Sequence, residues 1–337
     1  MNSNNFFVWQ PDPILFSIGE FALPVPISIW GLILAGILIY FGIQKITPKK
    51  TKKSKAVEPP AWQFWGVVIG AFILGQIPFL LIDSPSFESI GPIEPRVYGL
   101  LFAFAFIAGY AIGLKMFLDA GRPQEEADRL LIYVLVATVI GARLGHVFFY
   151  EAEFYLLNIH LIPQVWTGGL ASHGAAIGII IAMYLYAKRT PGSTFLWVAD
   201  RVVPTAAIGG VFIRTGNFFN SEILGMQTDL PWAVIFANVD MVPRHPSMLY
   251  EAILCIIVLA SLAFIYYKYD KKPPEGSLFG TFLILLFSGR FLIEFTKEPL
   301  ADFLAGSTLD MGQLLSIPFV LIGIWILWKK VKWKNVQ

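Results

Sequence analysis

Charge is what this sequence has least of. Of 337 residues only 14% are Asp, Glu, Lys or Arg, where an ordinary soluble domain carries about a quarter. There is one cysteine, Cys255, and there are four histidines. A lone cysteine excludes a disulfide scaffold within the chain and leaves the redox compartment unreadable. Cys255 lies midway along an apolar run, where it reads as a small buried hydrophobe. Basic and acidic side chains nearly cancel, 25 against 23, so nucleic-acid binding has no electrostatic footing and none is expected. Several chemistries lack their motifs. There is no His-Glu-x-x-His and no cysteine cluster, so no metal is expected. There is no Gly-x-Ser-x-Gly elbow for a serine hydrolase, and no phosphate loop ending in Gly-Lys-Ser/Thr for nucleotide-driven transport. What the chain has instead is 56% hydrophobic residues, 29 phenylalanines and a mean hydropathy of +0.66. Disorder and coiled coil are thereby excluded, and the fold class is an all-α polytopic membrane protein.

A spanning helix needs about 20 largely apolar residues. Such runs fall at 27–44, 62–82, 97–116, 130–150, 168–187, 195–215, 248–267, 277–296 and 312–328, which predicts about nine transmembrane helices. Loops that stay in the cytoplasm keep an excess of Lys and Arg. The cluster from Lys45 to Lys55, then Lys115, Arg122 and Arg129, then Lys188 and Arg189, then Lys268, Lys271 and Lys272, and the tail from Lys329 to Lys334 all fall on one side of nine spans. The N-terminus is therefore predicted outside and the C-terminus in the cytoplasm. The first apolar run precedes its basic cluster, the reverse of a cleaved signal peptide, so the first span is expected to be retained.

Those clusters hold 18 of the 25 basic residues; the other seven are Arg96, Arg143, Arg201, Arg214, Arg244, Arg290 and Lys297. They are predicted within spans or towards the outer face. An arginine at membrane depth costs at least about 2.5 kcal/mol, so it faces the bundle interior and has a partner. The plain partner is Glu222, Glu251 or Glu294; the alternative, which six arginines on one side favour, is an anionic ligand held by forked hydrogen bonds.

Three segments concentrate the polar chemistry. Arg214-Thr-Gly-Asn217-Phe-Phe-Asn220-Ser-Glu222-Ile-Leu-Gly225 closes the sixth predicted span and reads as irregular polar backbone lining a cavity. Gly168-Gly169-Leu-Ala-Ser-His173-Gly174 places a histidine in a small-residue stretch that permits close helix approach and offers a base near neutral pH. Arg290-Phe-Leu-Ile-Glu294, with Lys297 and Glu298 beyond it, has the i,i+4 spacing of a pair along one helix face. Arg143, His146 and Tyr150 form a further polar stripe, and Arg244-His245-Pro-Ser-Met-Leu-Tyr250-Glu251 opens the seventh span.

Together these segments resemble the prolipoprotein diacylglyceryl transferase family over residues 96–328. The signature is similar to Arg214 through Gly225, with Thr215 where an apolar residue is usual. The histidine block is similar to Gly168 through Gly174, with Ala175 for a glycine. Tyr98-Gly99-Leu100, Gly141-Ala-Arg143-Leu-Gly145, Arg244 to Glu251, Arg290 to Phe295 and Met311 to Pro318 fall in family order. The family opening resembles Asp12-Pro13-Ile-Leu-Phe16-Ser-Ile-Gly19, and Trp30-Gly31 partly echoes Tyr98-Gly99. Where the family has seven spans, two extra helices and a lysine-rich loop are expected before Tyr98. Residues 1–95 are thus expected to form an N-terminal extension, 96–328 the transferase-like membrane domain and 329–337 a basic cytoplasmic tail. Tyr98, which has the hydroxyl that Trp30 lacks, is taken as the family tyrosine.

The resemblance implies an enzyme of the bacterial cytoplasmic (inner) membrane, its site towards the outer leaflet. It implies transfer of the diacylglyceryl group of phosphatidylglycerol to the lipobox cysteine thiol of a preprolipoprotein, forming a thioether and releasing glycerol phosphate. Arg214 and Arg290 are expected to bind the phosphate, with Arg143 alongside and Glu294 holding Arg290. His173 is the candidate base, and Tyr98, Asn217, Asn220, Glu222 and Gly225 are expected to shape the pocket. No cofactor is expected, and the protein is expected to act as a monomer. The alternative from another class is a flippase or transporter for an anionic lipid head group, which inverted repeats would favour.

Overall fold

The computed structural model describes residues 6–17, 19, 21–28, 34–35, 38–39, 86–90, 95–298 and 309–333. Apart from residues 27–28, 34–35 and 38–39, the spans predicted at 27–44 and 62–82 lie outside the described residues, as does Trp30. The described helices are α1 (Val97–Asp119), α2 (Gln124–Phe149), the short α3 (Ala152–Leu157), α4 (Ser172–Arg189), α5 (Phe195–Phe219), α6 (Ser247–Lys268), α7 (Ser277–Glu294) and α8 (Met311–Lys329). Seven of these run 18 residues or more, one at each span predicted from residue 97 onward. Six are long and apolar enough to cross a membrane. The exception is α4, 18 residues with Ser172 and His173 at one end and Lys188 and Arg189 at the other. At 1.5 Å per residue it still reaches about 27 Å.

The chain divides into two compact units, Met1–Pro13 with Arg96–Gln337, and Ile14–Pro95. The first 13 residues group with the larger unit. Val97 N donates to Pro13 O (2.9 Å), which ties the first segment of the larger unit to the start of α1. In the smaller unit β2 (Phe21–Ser28) pairs antiparallel with β3 (Ser86–Ile90). In the larger, β1 (Phe7–Trp9) pairs parallel with β4 (Val234–Phe236), which pairs antiparallel with β5 (Pro243–Arg244). Neither sheet was foreseen from the sequence. The β1–β4–β5 sheet has a use: Trp9 Nε1 donates to Phe218 O (3.0 Å) and its ring stacks on Phe218 at 4.4 Å, pinning the last turn of α5.

Helix ends are specified chemically. Thr194 caps α5 by accepting from Trp197 N (3.1 Å). Asp310 and Gln313 form a reciprocal capping box on α8. The first turn of α7 is capped from a distance: Asp200 of α5 accepts from Gly276 N (2.6 Å) and Phe279 N (2.8 Å).

Small residues set the helix crossings. Gly141 and Gly145 of α2 meet Gly174 and Gly178 of α4 backbone to backbone; a Cβ on Gly141 would lie 2.4 Å from Gly174 O. This is the close approach that small-xxx-small spacing permits. Gly280 of α7 crosses α8 in the same way at Gly323, and Gly210 of α5 lies under the sulfur of the buried Cys255. Gly141→Leu is therefore expected to cost about 1–3 kcal/mol by overpacking, a drop of several degrees in the thermal midpoint of the detergent-solubilised protein. Gly209→Ala, with nothing within 4 Å of the added carbon, is expected to leave the midpoint unchanged or raise it.

Candidate functional site

At the end of the bundle opposite Lys188 and Arg189, charges of alternating sign join three helices and the segment beyond α7. Arg214 Nε of α5 lies 2.7 Å from Glu251 Oε2 of α6, and Glu251 Oε1 takes Lys297 Nζ at 2.7 Å. Lys297, three residues past the end of α7, also lies 3.3 Å from Glu294 Oε2. Glu294 in turn presses on α8, where a Cβ on Gly312 would meet Glu294 Oε1 at 2.2 Å. Glu251, Glu294 and Lys297 are 4%, 6% and 6% exposed, so each depends on its partners to be charged there.

The segment after α7 is stitched to this end by hydrogen bonds. Ser247 Oγ donates to Thr296 O (3.2 Å), Met226 N donates to Thr296 O (2.8 Å), and Gly225 bridges to Lys297. Gly225 N donates to His245 O (3.0 Å), and a Cβ at Gly225 would lie 2.4 Å from Ser247 Oγ and 2.5 Å from His245 Cβ. Only glycine fits.

The segment 214–225 folds on itself as α5 ends. Asn217 Nδ2 donates to Glu222 Oε2 (2.8 Å), Asn220 Nδ2 donates to Glu222 Oε1 (3.0 Å), and Arg214 Nη1 reaches Asn217 Oδ1 at 3.4 Å. Glu222 N returns to Asn217 O (2.9 Å), and Ser221 and Ile223 take left-handed φ of 54° and 58° to make the turn. The Tyr98 ring lies on Gly216, where a Cβ would come within 2.7 Å of its Cδ2. Tyr98, Arg214, Asn217, Asn220, Glu222 and Gly225 are thus brought together. Among the described residues no group accepts from Arg214 Nη2.

Arg143 is placed differently. Its guanidinium is 3% exposed and donates to Ile162 O (2.8 Å), Leu161 O (2.8 Å) and Gly168 O (2.7 Å), over the Tyr155 ring at 4.8 Å. Gly168 (φ 89°) and Gly169 (φ 66°) turn their carbonyls towards it. Arg143 therefore organises the loop that leads into α4 instead of standing beside Arg214 with free donors. His173 is the second residue of α4, exposed, with no side-chain hydrogen bond among the described residues, next to the buried Gly174 of the α2–α4 crossing.

Arg290 is partly buried on α7, and among the described residues no carboxylate or carbonyl pairs with it. The expected Arg290–Glu294 pair is not made: Glu294 takes Lys297 at i,i+3 instead. Nor do all six arginines share one end. Arg201 lies near the opposite end of α5, 3.3 Å over the Trp197 ring that Arg122 flanks at 5.1 Å. Arg244 pairs with Asp240 (2.7 Å) and with Glu298. That guanidinium holds the Asp240 carboxyl below the usual carboxylate range, while Asp240 and Glu298 raise Arg244; burial lowers His245. The residues that sequence reasoning left out of the site are Glu251 and Lys297. The available signal was that Lys297 is the one lysine among the seven basic residues outside the inner clusters.

Membrane-crossing helices that gather Arg214, Arg290 and a folded Asn/Glu motif at one end define a polytopic membrane protein with an arginine-bearing site. Residues 85–329 match the family described as "Prolipoprotein diacylglyceryl transferase". The chain is 45% identical over 254 residues to the phosphatidylglycerol–prolipoprotein diacylglyceryl transferase of Chloroherpeton thalassium, covering 75% of this chain and 95% of that one. It is 45% identical over 241 residues to the protein of the same name from Tolumonas auensis (72% and 93%), and 39% identical over 266 residues to that of Bacteroides fragilis (75% and 96%). The chain belongs to the prolipoprotein diacylglyceryl transferase family.

Because Asp240 is held low in the folded state, its pairing stabilises the β4–β5 region fully above the ordinary carboxylate range and is lost as pH falls through the lowered value. The Val242 amide, which donates to Asp240 Oδ1 (3.0 Å), is expected to lose hydrogen-exchange protection, corrected for intrinsic rate, over that acid range. In Asp240→Asn protection is expected to be reduced and to show no such step.

Proposed function

We propose that this protein transfers the diacylglyceryl group of phosphatidylglycerol to the lipobox cysteine of a preprolipoprotein, giving a thioether and glycerol phosphate. Family membership supports the reaction. The observation that carries the site is Arg290, a partly buried cation on a spanning helix that no described residue claims.

In the reaction the cysteine S–H loses its proton, the sulfur forms a bond to the glyceryl carbon, and the C–O bond to phosphate breaks. Negative charge grows on the departing phosphate, where arginine donors fixed beforehand stabilise it more than they stabilise the bound lipid. Arg290 with its open donors and Arg214 through Nη2 take that role. His173, unpaired among the described residues, takes the thiol proton, since the thiolate is the nucleophile. Asn217, Asn220 and Glu222 fix Arg214, Gly225 lets the 225–245 backbones close on it, and Tyr98 packs on Gly216 as the family tyrosine. Arg143 acts at one remove, by holding the loop before His173. Glu294 acts with Lys297.

The basic end, with Arg122, Arg129, Lys188, Arg189 and Lys268, lies in the cytoplasm, which puts the site towards the outer leaflet of the bacterial cytoplasmic membrane. We read residues 14–95 as the inserted segment carrying the two further spans, 329–337 as the cytoplasmic tail, and the protein as a monomer.

Purified protein, phosphatidylglycerol and a lipobox peptide, followed by peptide mass, test this directly. Wild type is expected to add one diacylglyceryl mass to a Cys peptide and none to its Ser counterpart. Arg290→Ala is expected to lose about 10²-fold or more of the rate, the scale for deleting a donor to developing charge. Near-wild-type transfer by that variant would remove Arg290 from the site. His173→Gln is expected to lose at least about 10²-fold, as for a general base; normal turnover would sink that role.

A further inference from the structure

Lys297 is buried more deeply than either arginine assigned to phosphate, and the reaction as written gives its ammonium no reacting atom to touch. Its ammonium lies between two carboxylates, 2.7 Å from Glu251 Oε1 and 3.3 Å from Glu294 Oε2. Glu251 has one oxygen on Lys297 and the other on Arg214 Nε, at 2.7 Å each. A carboxylate held at one oxygen by a second cation cannot rotate without breaking that contact, so Lys297 sets the direction from which Glu251 grips Arg214. The Nε edge of Arg214 is thereby occupied, and Nη2 has no acceptor among the described residues. Arg214 and Lys297 balance Glu251 and Glu294, so without Lys297 this chain of pairs would carry one carboxylate in excess.

We propose that Lys297 is a positioning residue of the transfer reaction, acting on Arg214 through Glu251 without touching the lipid. This rests on the assignment of Arg214 to the phosphate. Its backbone is placed for the task, since Thr296 is tied to Ser247 on α6 and Lys297 bridges to Gly225 at the end of the Arg214 motif. Lys297 therefore couples the motif segment, α6 and α7 at one ammonium.

Transfer kinetics in mixed micelles, per mole of folded protein, test the proposal with Lys297→Met, Lys297→Arg, Glu251→Gln and the double variant Glu251→Gln/Lys297→Met. Misplacing a catalytic group by about 1 Å costs on the order of 10²-fold, so Lys297→Met is expected to lower kcat by about 10- to 100-fold. Its KM for phosphatidylglycerol is expected to stay within about threefold, because ground-state binding through Arg290 is intact. Lys297→Arg is expected to recover kcat to within about threefold of wild type, and the double variant to be no slower than Lys297→Met, since both break one path. Where Lys297→Met fails to fold for want of a partner to its carboxylates, the double variant and Lys297→Arg carry the test. The proposal is overturned by a wild-type kcat in the folded Lys297→Met or double variant, by a loss confined to KM, or by independent, multiplying losses from Glu251 and Lys297. Arg214→Ala separates the two levels. If it transfers normally, the site reading fails; if it is inactive while Lys297→Met is normal, only the role of Lys297 fails.

Discussion

The pairing of buried charges at one end of the bundle is the constraint on which the site depends. Arg214, Glu251, Lys297 and Glu294 come from α5, α6 and α7 with its extension, and Glu294 rests on Gly312 of α8. A buried ion is costly unless partners meet it in good geometry, and losing one partner strands the others. Such a chain therefore tolerates little displacement of any helix that contributes to it. Apolar packing alone would not give this, because lipid tails are as apolar as leucine and provide no hydrophobic drive between helices. The glycine contacts bring helices close; the ion pairs fix where along their length they stop.

The position of Arg290 follows from constraints at both ends of α7. At its start, Asp200 accepts from Gly276 N and Phe279 N, satisfying amides that a helix terminus leaves without intrahelical partners. At its finish, Glu294 and Lys297 enter the ion-pair chain and Thr296 is tied to Ser247. A helix held at both termini has little freedom to rotate or slide, so the Arg290 side chain, one turn before its end, is placed without a polar partner among the described residues. Arg143 shows the opposite strategy. It spends its donors on loop carbonyls, and what it positions is the backbone leading to His173.

The helices from residue 97 onward were legible because a membrane span needs some 20 apolar residues whatever it packs against. The Gly141, Gly145, Gly174 and Gly178 contacts were legible in kind, since small residues at a spacing of four have few other uses in a span. Partner choice was not. The spacing of Arg290 and Glu294 permits a pair along one face, but i,i+3 reaches the same face, and the chain leaves α7 in a way that delivers Lys297 there instead. Arg201 was grouped with the outer arginines because sequence gives depth only to the nearest turn, and it lies on Trp197 at the opposite end; Arg143 was expected beside the phosphate because nothing in the sequence shows the loop carbonyls that take its donors. The β1–β4–β5 sheet joins residues more than two hundred positions apart through strands of two or three residues, too short to leave a periodic pattern.

The basic residues outside the inner clusters differ in what takes up their donors. Arg214 has Glu251, Lys297 has two carboxylates, Arg244 has Asp240 and Glu298, and Arg143 has four carbonyl contacts. Arg96, also outside the inner clusters, is exposed at the start of α1. Arg201, also partly buried in a spanning helix, donates to Trp197 O (2.8 Å) and lies over its ring. Arg290 alone of the seven is partly buried within a spanning helix with no polar partner among the described residues. At membrane depth an arginine in that state costs at least about 2.5 kcal/mol. A fold that fixes α7 so firmly retains that cost in its empty state. The cost is removed when a phosphodiester arrives, and an interaction that strengthens further as the phosphate gains its second charge lowers the barrier as well as the binding energy.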